Sequence, residues 1–200
     1  MNDTHLVPNK KERLAMSIDS MPKERPDPIE NSKVLFIERF GAIYEHSPWV
    51  AEAAWESMDS KDRNDIDQLK SAMQRAVDEA SDEAKLLLIR QHPDLADPAA
   101  KSGKLSHMSN REQKDAGLTS ASNEEAERFV ELNSAYKTKF GFPFVIAVKG
   151  LNRHDILTAF ERRLQNERTE ELSQALIQIH RIAGFRLAEV FNNNADTTTP

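Results

Sequence analysis

HPDLADPAAKSGKLSHMSNREQKDAG, residues 92–117, joins a histidine held by a following proline to a candidate helix start through a loop of small residues. Pro93 disfavours helical backbone angles at His92, so the helix predicted over residues 82–90 should end there, with the imidazole at its C-terminal end. One interpretation is a histidine that completes the helix end, where the helix dipole favours the protonated ring. The alternative is a group that gives and takes a proton near neutral pH.

Ser109 and Glu112 have the Ser-x-x-Glu spacing of a capping box, which predicts a helix over residues 109–116 that ends at Gly117. Capping alone explains both side chains. A helix N-terminus also presents unpaired N–H groups and positive potential, so a polar ligand can bind where the cap forms. The two interpretations are compatible.

Apolar residues recur at helical spacing through most of the remaining chain, beginning with Val34, Ile37, Gly41 and Tyr44. With Ser47-Pro48 and Ser122-x-x-Glu125 as helix starts, the predicted helices occupy residues 34–44, 48–55, 66–80, 82–90, 109–116, 122–140, 154–164 and 170–191. The run FVIAV at residues 144–148 is the one strand-like segment, and a lone strand has no partner. The prediction is an all-α fold, a single domain of roughly eight helices.

The chain has 200 residues, a formal net charge of −6 and no cysteine. Its length suits one domain, and its acidic balance argues against a nucleic-acid partner, which would require a basic face. No apolar run approaches the ~20 residues of a membrane span, and the first residues lack the apolar core of a secretion signal. We therefore expect a cytoplasmic protein without membrane contact, with a proline-rich mobile arm at residues 1–30, a helical domain at 31–192 and a tail at 193–200.

Arg186 interrupts the apolar stripe of the last predicted helix, which otherwise consists of Leu172, Leu176, Ile179, Ala183 and Val190. An unpaired guanidinium would be costly to bury there. The side chain can form a buried salt bridge, or lie over the core with its head in water. It can also face a pocket and bind an anionic substrate with its planar fork.

The apolar segment FGFPFVIAV, residues 140–148, is suited to the core, but its backbone has a second use. If Pro143 keeps the segment extended, N–H and C=O groups of Phe144, Val145 and Ile146 lack helical partners. Those groups can then bind the amide groups of a ligand.

These motifs resemble those of the OHCU decarboxylase family of purine catabolism. The resemblance rests on FIERFGAIYEHSPWVAEAAW at residues 36–55, HPDLA from His92, SNREQKDAGL from Ser109 and KFGFPFVIAVKG at residues 139–150. It implies a catalytic role for one residue and substrate-binding roles for seven: His92 is the catalytic histidine, and the substrate-binding residues are Pro93, Ser109, Glu112, Phe144, Val145, Ile146 and Arg186. Gln113 shares the SNREQ motif but is predicted to lie one position round the helix, outside the site. The Glu45-His46 pair is expected to support the site from behind.

The resemblance implies a carboxy-lyase that converts 2-oxo-4-hydroxy-4-carboxy-5-ureidoimidazoline (OHCU) to (S)-allantoin, without metal or other cofactor. Its partner would be this small molecule, and family members are often homodimers. The histidine spacing supports the absence of a metal, since no HExxH or comparable ligand pattern is present. The rival interpretation is a helical interaction module that binds another protein. Only the enzyme requires His92, Glu112 and Arg186 to meet in one small cavity. Their positions in the fold therefore distinguish the two interpretations.

Overall fold

The computed structural model describes residues 31–96 and 106–195, and within these ranges all regular structure is helical. The α-helices are α1 Lys33–Phe40, α2 Trp49–Ser57, α3 Ile66–Asp78, α4 Asp82–Arg90, α5 His107–Asp115, α6 Asn123–Phe140, α7 Arg153–Arg163 and α8 Arg168–Ala195. The prediction of an all-α fold of about eight helices is confirmed. The predicted arm at residues 1–30 lies outside the described ranges, and α8 continues three residues into the predicted tail. None of the described helices is both long and apolar enough to cross a bilayer.

Side-chain caps fix several of these helix starts. Ser81 caps α4, which has the predicted bounds, by accepting a hydrogen bond from the Ala84 N–H at 3.2 Å. Ser122 and Glu125 form the predicted capping box at the start of α6. Because such a cap satisfies N–H groups that the helix cannot, it sets the first residue of the helix locally.

The first two helices differ from the prediction. Helix α1 ends at Phe40, and its buried face is carried by Phe36 and Phe40, whereas Val34 is 66% exposed. The chain then turns, which makes the predicted stripe through Tyr44 wrong beyond the end of the helix. At α2 the N-cap is Pro48, without a side-chain cap, and not Ser47.

Helix α5 begins two residues earlier than predicted, and this changes the position of Ser109. The cap is Ser106, whose hydroxyl accepts a hydrogen bond from the Ser109 N–H at 3.1 Å. The predicted Ser109–Glu112 capping box is therefore wrong. Both side chains lie within the helix, free to point into the protein, and the helix is followed by Gly117 with a left-handed φ of 74°.

Helix α8, the longest of the described helices, packs against three others, α3, α4 and α6. Beside it lies an aromatic cluster that includes a stacked pair, Phe144 and Phe160, with ring centroids 3.8 Å apart. Phe144 belongs to the segment at residues 143–148, which has no regular structure and contributes buried side chains to the core. The Ala147 N–H donates to Gln178 Oε1 on α8 at 3.1 Å, which places the backbone of the segment beside that helix.

Candidate active site

One cleft of about 350 Å³, including its open mouth, collects the residues that the sequence singled out. It lies between the end of α4, helices α5 and α8, and the segment at residues 143–148. The lining residues are His92, Pro93, Leu95, Ser109, Glu112, Gln113, Phe144, Val145, Ile146, Val148, Ile182 and Arg186. Every residue predicted for the site is among them. This convergence is the feature that separates an enzyme from an interaction module, and it favours the enzyme.

His92 lies just after α4 and is only 8% exposed. Its Nδ1 is 3.1 Å from the Leu88 carbonyl oxygen. A carbonyl can only accept, so Nδ1 carries the proton and Nε2 has a free lone pair. Burial lowers the pKa of His92 to about 4, although the negative charge of Glu45 opposes this shift. The ring is therefore neutral at neutral pH, contrary to the protonated form that the helix dipole alone would favour.

The depressed pKa of His92 predicts a stability change on the acid side. The unfolded histidine titrates near 6.5 and the folded one near 4, so between these values only the unfolded chain gains the proton. Stability should be lost as pH falls through this interval, by up to about 1.4 kcal/mol per pH unit, and should be unaffected by His92 above it. In thermal denaturation from pH 7 to pH 4, His92→Asn should lose less stability than the wild type. Parallel pH curves for the two proteins would contradict the depressed pKa.

Arg186 is 2% exposed, and its five N–H donors are all occupied. Nε and Nη2 donate to the two oxygens of Glu112 at 2.7 and 2.9 Å. Nη1 donates to Glu45 Oε2 at 2.9 Å and to the Ile43 carbonyl at 3.3 Å, and Nη2 also donates to Ser109 Oγ at 3.0 Å. Of the alternatives left by the sequence, the structure shows a buried salt bridge. That salt bridge forms part of the cleft wall.

Glu45 is the buried partner of Arg186, and its side chain has no exposed surface. Burial alone would raise the pKa of the Glu45 carboxyl, but the charge of Arg186 and hydrogen bonds from Ser106 and Ser109 lower it below its ordinary value overall. Glu45 is therefore ionised. Two carboxylates, Glu45 and Glu112, face one guanidinium, which gives this cluster a net charge of −1.

Ser109 and Glu112 retain the capacity to accept hydrogen bonds from a ligand. The Ser109 hydroxyl donates its single proton to Glu45 Oε2 at 2.8 Å, so it can meet a ligand only as an acceptor. Glu112 is held by Arg186 through both oxygens, yet its side chain is 26% exposed and lines the cleft. Each of its oxygens has a further lone pair. Ser109 and Glu112 are therefore suited to accept hydrogen bonds from N–H groups of a ligand.

The backbone of Phe144, Val145 and Ile146 contributes the opposite capacity. Among the described residues, no hydrogen bond is made by the N–H groups of these three residues, which line the cleft. Backbone N–H groups without a protein partner are strong donors for a bound ligand.

Four lining residues were not predicted: Leu95, Gln113, Val148 and Ile182. Gln113 was predicted to lie one position round the helix and outside the site, yet it lines the cleft. It lies four residues after Ser109, about one helical turn, and therefore on the same face of α5. Its Oε1 accepts from the Ala96 N–H at 3.0 Å, and its Nε2 donates to the Asp94 carbonyl at 3.3 Å. Gln113 thus supports the turn after His92.

Metal-binding groups are not gathered anywhere in residues 31–96 and 106–195, where no cluster of three His, Cys, Asp or Glu side chains could hold an ion. The polar groups that line the cleft are instead one imidazole, one carboxylate that is also bound to Arg186, one hydroxyl and backbone amides. Such a set can orient a small polar molecule and move a proton.

Comparisons with known proteins agree with the geometry. The family model described as OHCU decarboxylase matches residues 30–188. The 2-oxo-4-hydroxy-4-carboxy-5-ureidoimidazoline decarboxylase of Haloferax volcanii is 45% identical over 158 residues, which are 79% of this chain and 90% of that protein. The uric acid degradation bifunctional protein PucL of Bacillus subtilis is 39% identical over 80% of this chain but only 31% of its own length. A crystal structure of (S)-allantoin synthase superposes with a TM-score of 0.64 at 32% identity, covering 82% of this chain and 52% of that one.

Proposed function

The chain belongs to the OHCU decarboxylase family, and we propose that the cleft around His92 is where it decarboxylates OHCU in the degradation of urate. The product that we assign is (S)-allantoin. The observation that carries this proposal is the meeting of His92, Glu112, Arg186 and the backbone of residues 144–146 in one cleft. No cofactor is required, because the substrate contains its own electron sink.

The chemistry is a loss of CO2 followed by a proton transfer to carbon. The bond between ring carbon 4 and the carboxylate breaks, and its electron pair forms a double bond to carbon 5. The electron pair of the neighbouring C=N bond moves onto the ring nitrogen, which gains a proton. Carbon 5 then gains a proton while the hydroxyl on carbon 4 loses one and becomes the carbonyl of allantoin. One proton is consumed overall. The protein must therefore orient the ring, accept the hydroxyl proton and fix the face of carbon 5 that is protonated.

We assign acceptance of the hydroxyl proton to Nε2 of His92. Its lone pair is free because the Nδ1 proton is held by the Leu88 carbonyl. The resulting imidazolium would be costly in this buried position, as the low pKa of His92 indicates, but it would be favoured by the negative charge of Glu45. The proton would consequently be held only briefly before it is passed on.

We assign substrate binding to the cleft walls by their hydrogen-bonding capacity. Glu112 and Ser109 accept from ureido or ring N–H groups, and the backbone of residues 144–146 binds the polar edge of the ring. Arg186 keeps Glu112 and Ser109 in place. Since the cluster of Arg186 and its carboxylates has a net charge of −1, we place the substrate carboxylate away from it, against the apolar lining residues Leu95, Val148 and Ile182. An apolar surrounding disfavours the carboxylate more than neutral CO2.

The function is tested by supplying freshly generated OHCU and recording the circular dichroism of the product. The uncatalysed reaction gives a racemate and no lasting signal, whereas the enzyme should give the signal of (S)-allantoin. A protein that neither accelerates CO2 release nor produces an optical signal would refute the assignment.

Activity should survive exhaustive treatment with EDTA, because the proposed chemistry uses only side chains, backbone groups and the substrate's own C=N bond. The measurement is the initial rate of (S)-allantoin formation before and after chelation. Loss of activity that one added divalent metal restores would show that the site depends on an ion.

A further inference from the structure

The cleft segment at residues 144–147 is held from behind by two buried polar side chains that do not line the cleft. Arg163, at the end of α7, donates from Nη1 to the Val145 carbonyl at 2.7 Å. Gln178, on α8, accepts from the Ala147 N–H at 3.1 Å. Both side chains are at least nine-tenths buried.

Arg163 is itself fixed by a buried network. Its Nε donates to Glu171 Oε1 at 2.7 Å, and its guanidinium lies 4.5 Å from the centroid of the Phe144 ring. The Tyr136 hydroxyl donates to the same carboxylate oxygen of Glu171, and Asn166 Nδ2 donates to the other at 2.8 Å. With the carboxylate satisfied on both oxygens, the guanidinium has one orientation, and that orientation fixes the Val145 carbonyl.

Peptide geometry transmits these contacts to Ile146. The peptide bonds on either side of Ile146 are trans, so the C=O and N–H groups of each peptide unit point in opposite directions. When Arg163 draws the Val145 carbonyl away from the cleft, the Ile146 N–H points the other way. When Gln178 draws the Ala147 N–H away, the Ile146 carbonyl likewise points the other way.

We propose that Arg163 and Gln178 are positioning residues that aim the N–H and C=O of Ile146 into the cleft as one donor–acceptor pair. A pair of this kind matches the adjacent C=O and N–H of a urea or cyclic amide, with two parallel hydrogen bonds. The identity of the substrate rests on the proposed function. The ligand class follows from the Ile146 backbone alone, which offers one N–H donor beside one C=O acceptor. Arg163 and Gln178 thus act on the substrate through the segment, although neither lines the cleft.

The test compares Gln178→Met, Gln178→Glu and Arg163→Lys in steady-state kinetics with OHCU. Gln178→Met removes the acceptor and should raise KM by about five- to tenfold, while kcat changes less than threefold, because a binding contact is lost and the reacting atoms are not. Gln178→Glu retains an acceptor at the same place and should restore KM to within about threefold. Arg163→Lys keeps the charge beside Glu171 but loses the fork, and should raise KM as Gln178→Met does.

Arg168→Met is the matched control. Arg168 donates from Nε to the Phe140 carbonyl at 3.2 Å, just before the same segment. It makes no hydrogen bond to residues 144–147. Its replacement should lower the melting temperature without raising KM. If Arg168→Met raised KM equally, or if Gln178→Met and Arg163→Lys left KM unchanged in an active enzyme, the positioning role would be wrong.

A second readout separates this inference from the proposed function. Hydantoin carries the same ring edge without the carboxylate, and its binding can be followed by the shift of the Ile146 amide resonance in NMR. A shift that Gln178→Met weakens supports the positioning role even if the wild type fails to decarboxylate OHCU. Absence of any shift at Ile146 overturns the inference whatever the activity.

Discussion

His92→Asn should lower the rate of stereospecific decarboxylation by about 10²–10⁴ while the protein remains folded. Asparagine can still donate to the Leu88 carbonyl, which Nδ1 of His92 contacts at 3.1 Å, so the helix end remains satisfied. It has no basic ring nitrogen, and so no counterpart of the free Nε2 lone pair that accepts the hydroxyl proton. The loss should therefore appear in kcat, with little change in melting temperature at pH 7.

His180→Asn is the matched control for His92→Asn. His180 contacts the Tyr44 hydroxyl at 2.9 Å and Asp78 at 3.3 Å, away from the cleft lining. Its replacement should change stability more than turnover. The assays are the circular dichroism of (S)-allantoin and thermal denaturation of both variants. Nearly full activity in His92→Asn would make His92 a helix-end residue only and remove it from the chemistry.

Local chemistry explains the parts of the fold that could be predicted. The Ser81 and Ser122 caps lie within three residues of the N–H groups they bind, so the starts of α4 and α6 are encoded locally. The Ser106 cap of α5 is equally local, but the sequence offers two candidates for this helix start, because Ser106 and Ser109 both precede candidate helix residues. The choice depends on Arg186, which takes the side chains of Ser109 and Glu112 away from any capping role.

The candidate site was predictable only in part for the same reason. Periodicity showed that Arg186 occupies an apolar stripe and needs a partner, but Glu45 lies 141 residues away and nothing local connects them. The resemblance to a family supplied the residues of the cleft, including His92. The resemblance did not predict that protein groups occupy all five N–H donors of Arg186, or that Gln113 lines the cleft. Both depend on how the helices pack.

Arg186→Met should be both strongly destabilised and inactive. The replacement removes one partner of a buried pair and leaves the fully buried Glu45 carboxylate without its cation. Losses of this kind cost about 3–5 kcal/mol, since the stranded charge is neither hydrated nor compensated. Glu112 adds less to the cost because its partly exposed carboxylate can turn to water. Thermal denaturation should show a sharp fall in melting temperature, and the (S)-allantoin assay should show collapse of turnover.

The double variant Arg186→Met with Glu45→Gln separates the two effects of Arg186. It removes the stranded charge, so most of the lost stability should return, while the amide that replaces the carboxylate can still accept from the Ser109 hydroxyl. Activity should stay low, because Glu112 and Ser109 are no longer held by the guanidinium that fixes them at 2.9 and 3.0 Å. Recovery of both stability and turnover would show that Arg186 serves only to neutralise Glu45. A stable Arg186→Met single variant would show instead that the buried ion pair is not needed for the fold.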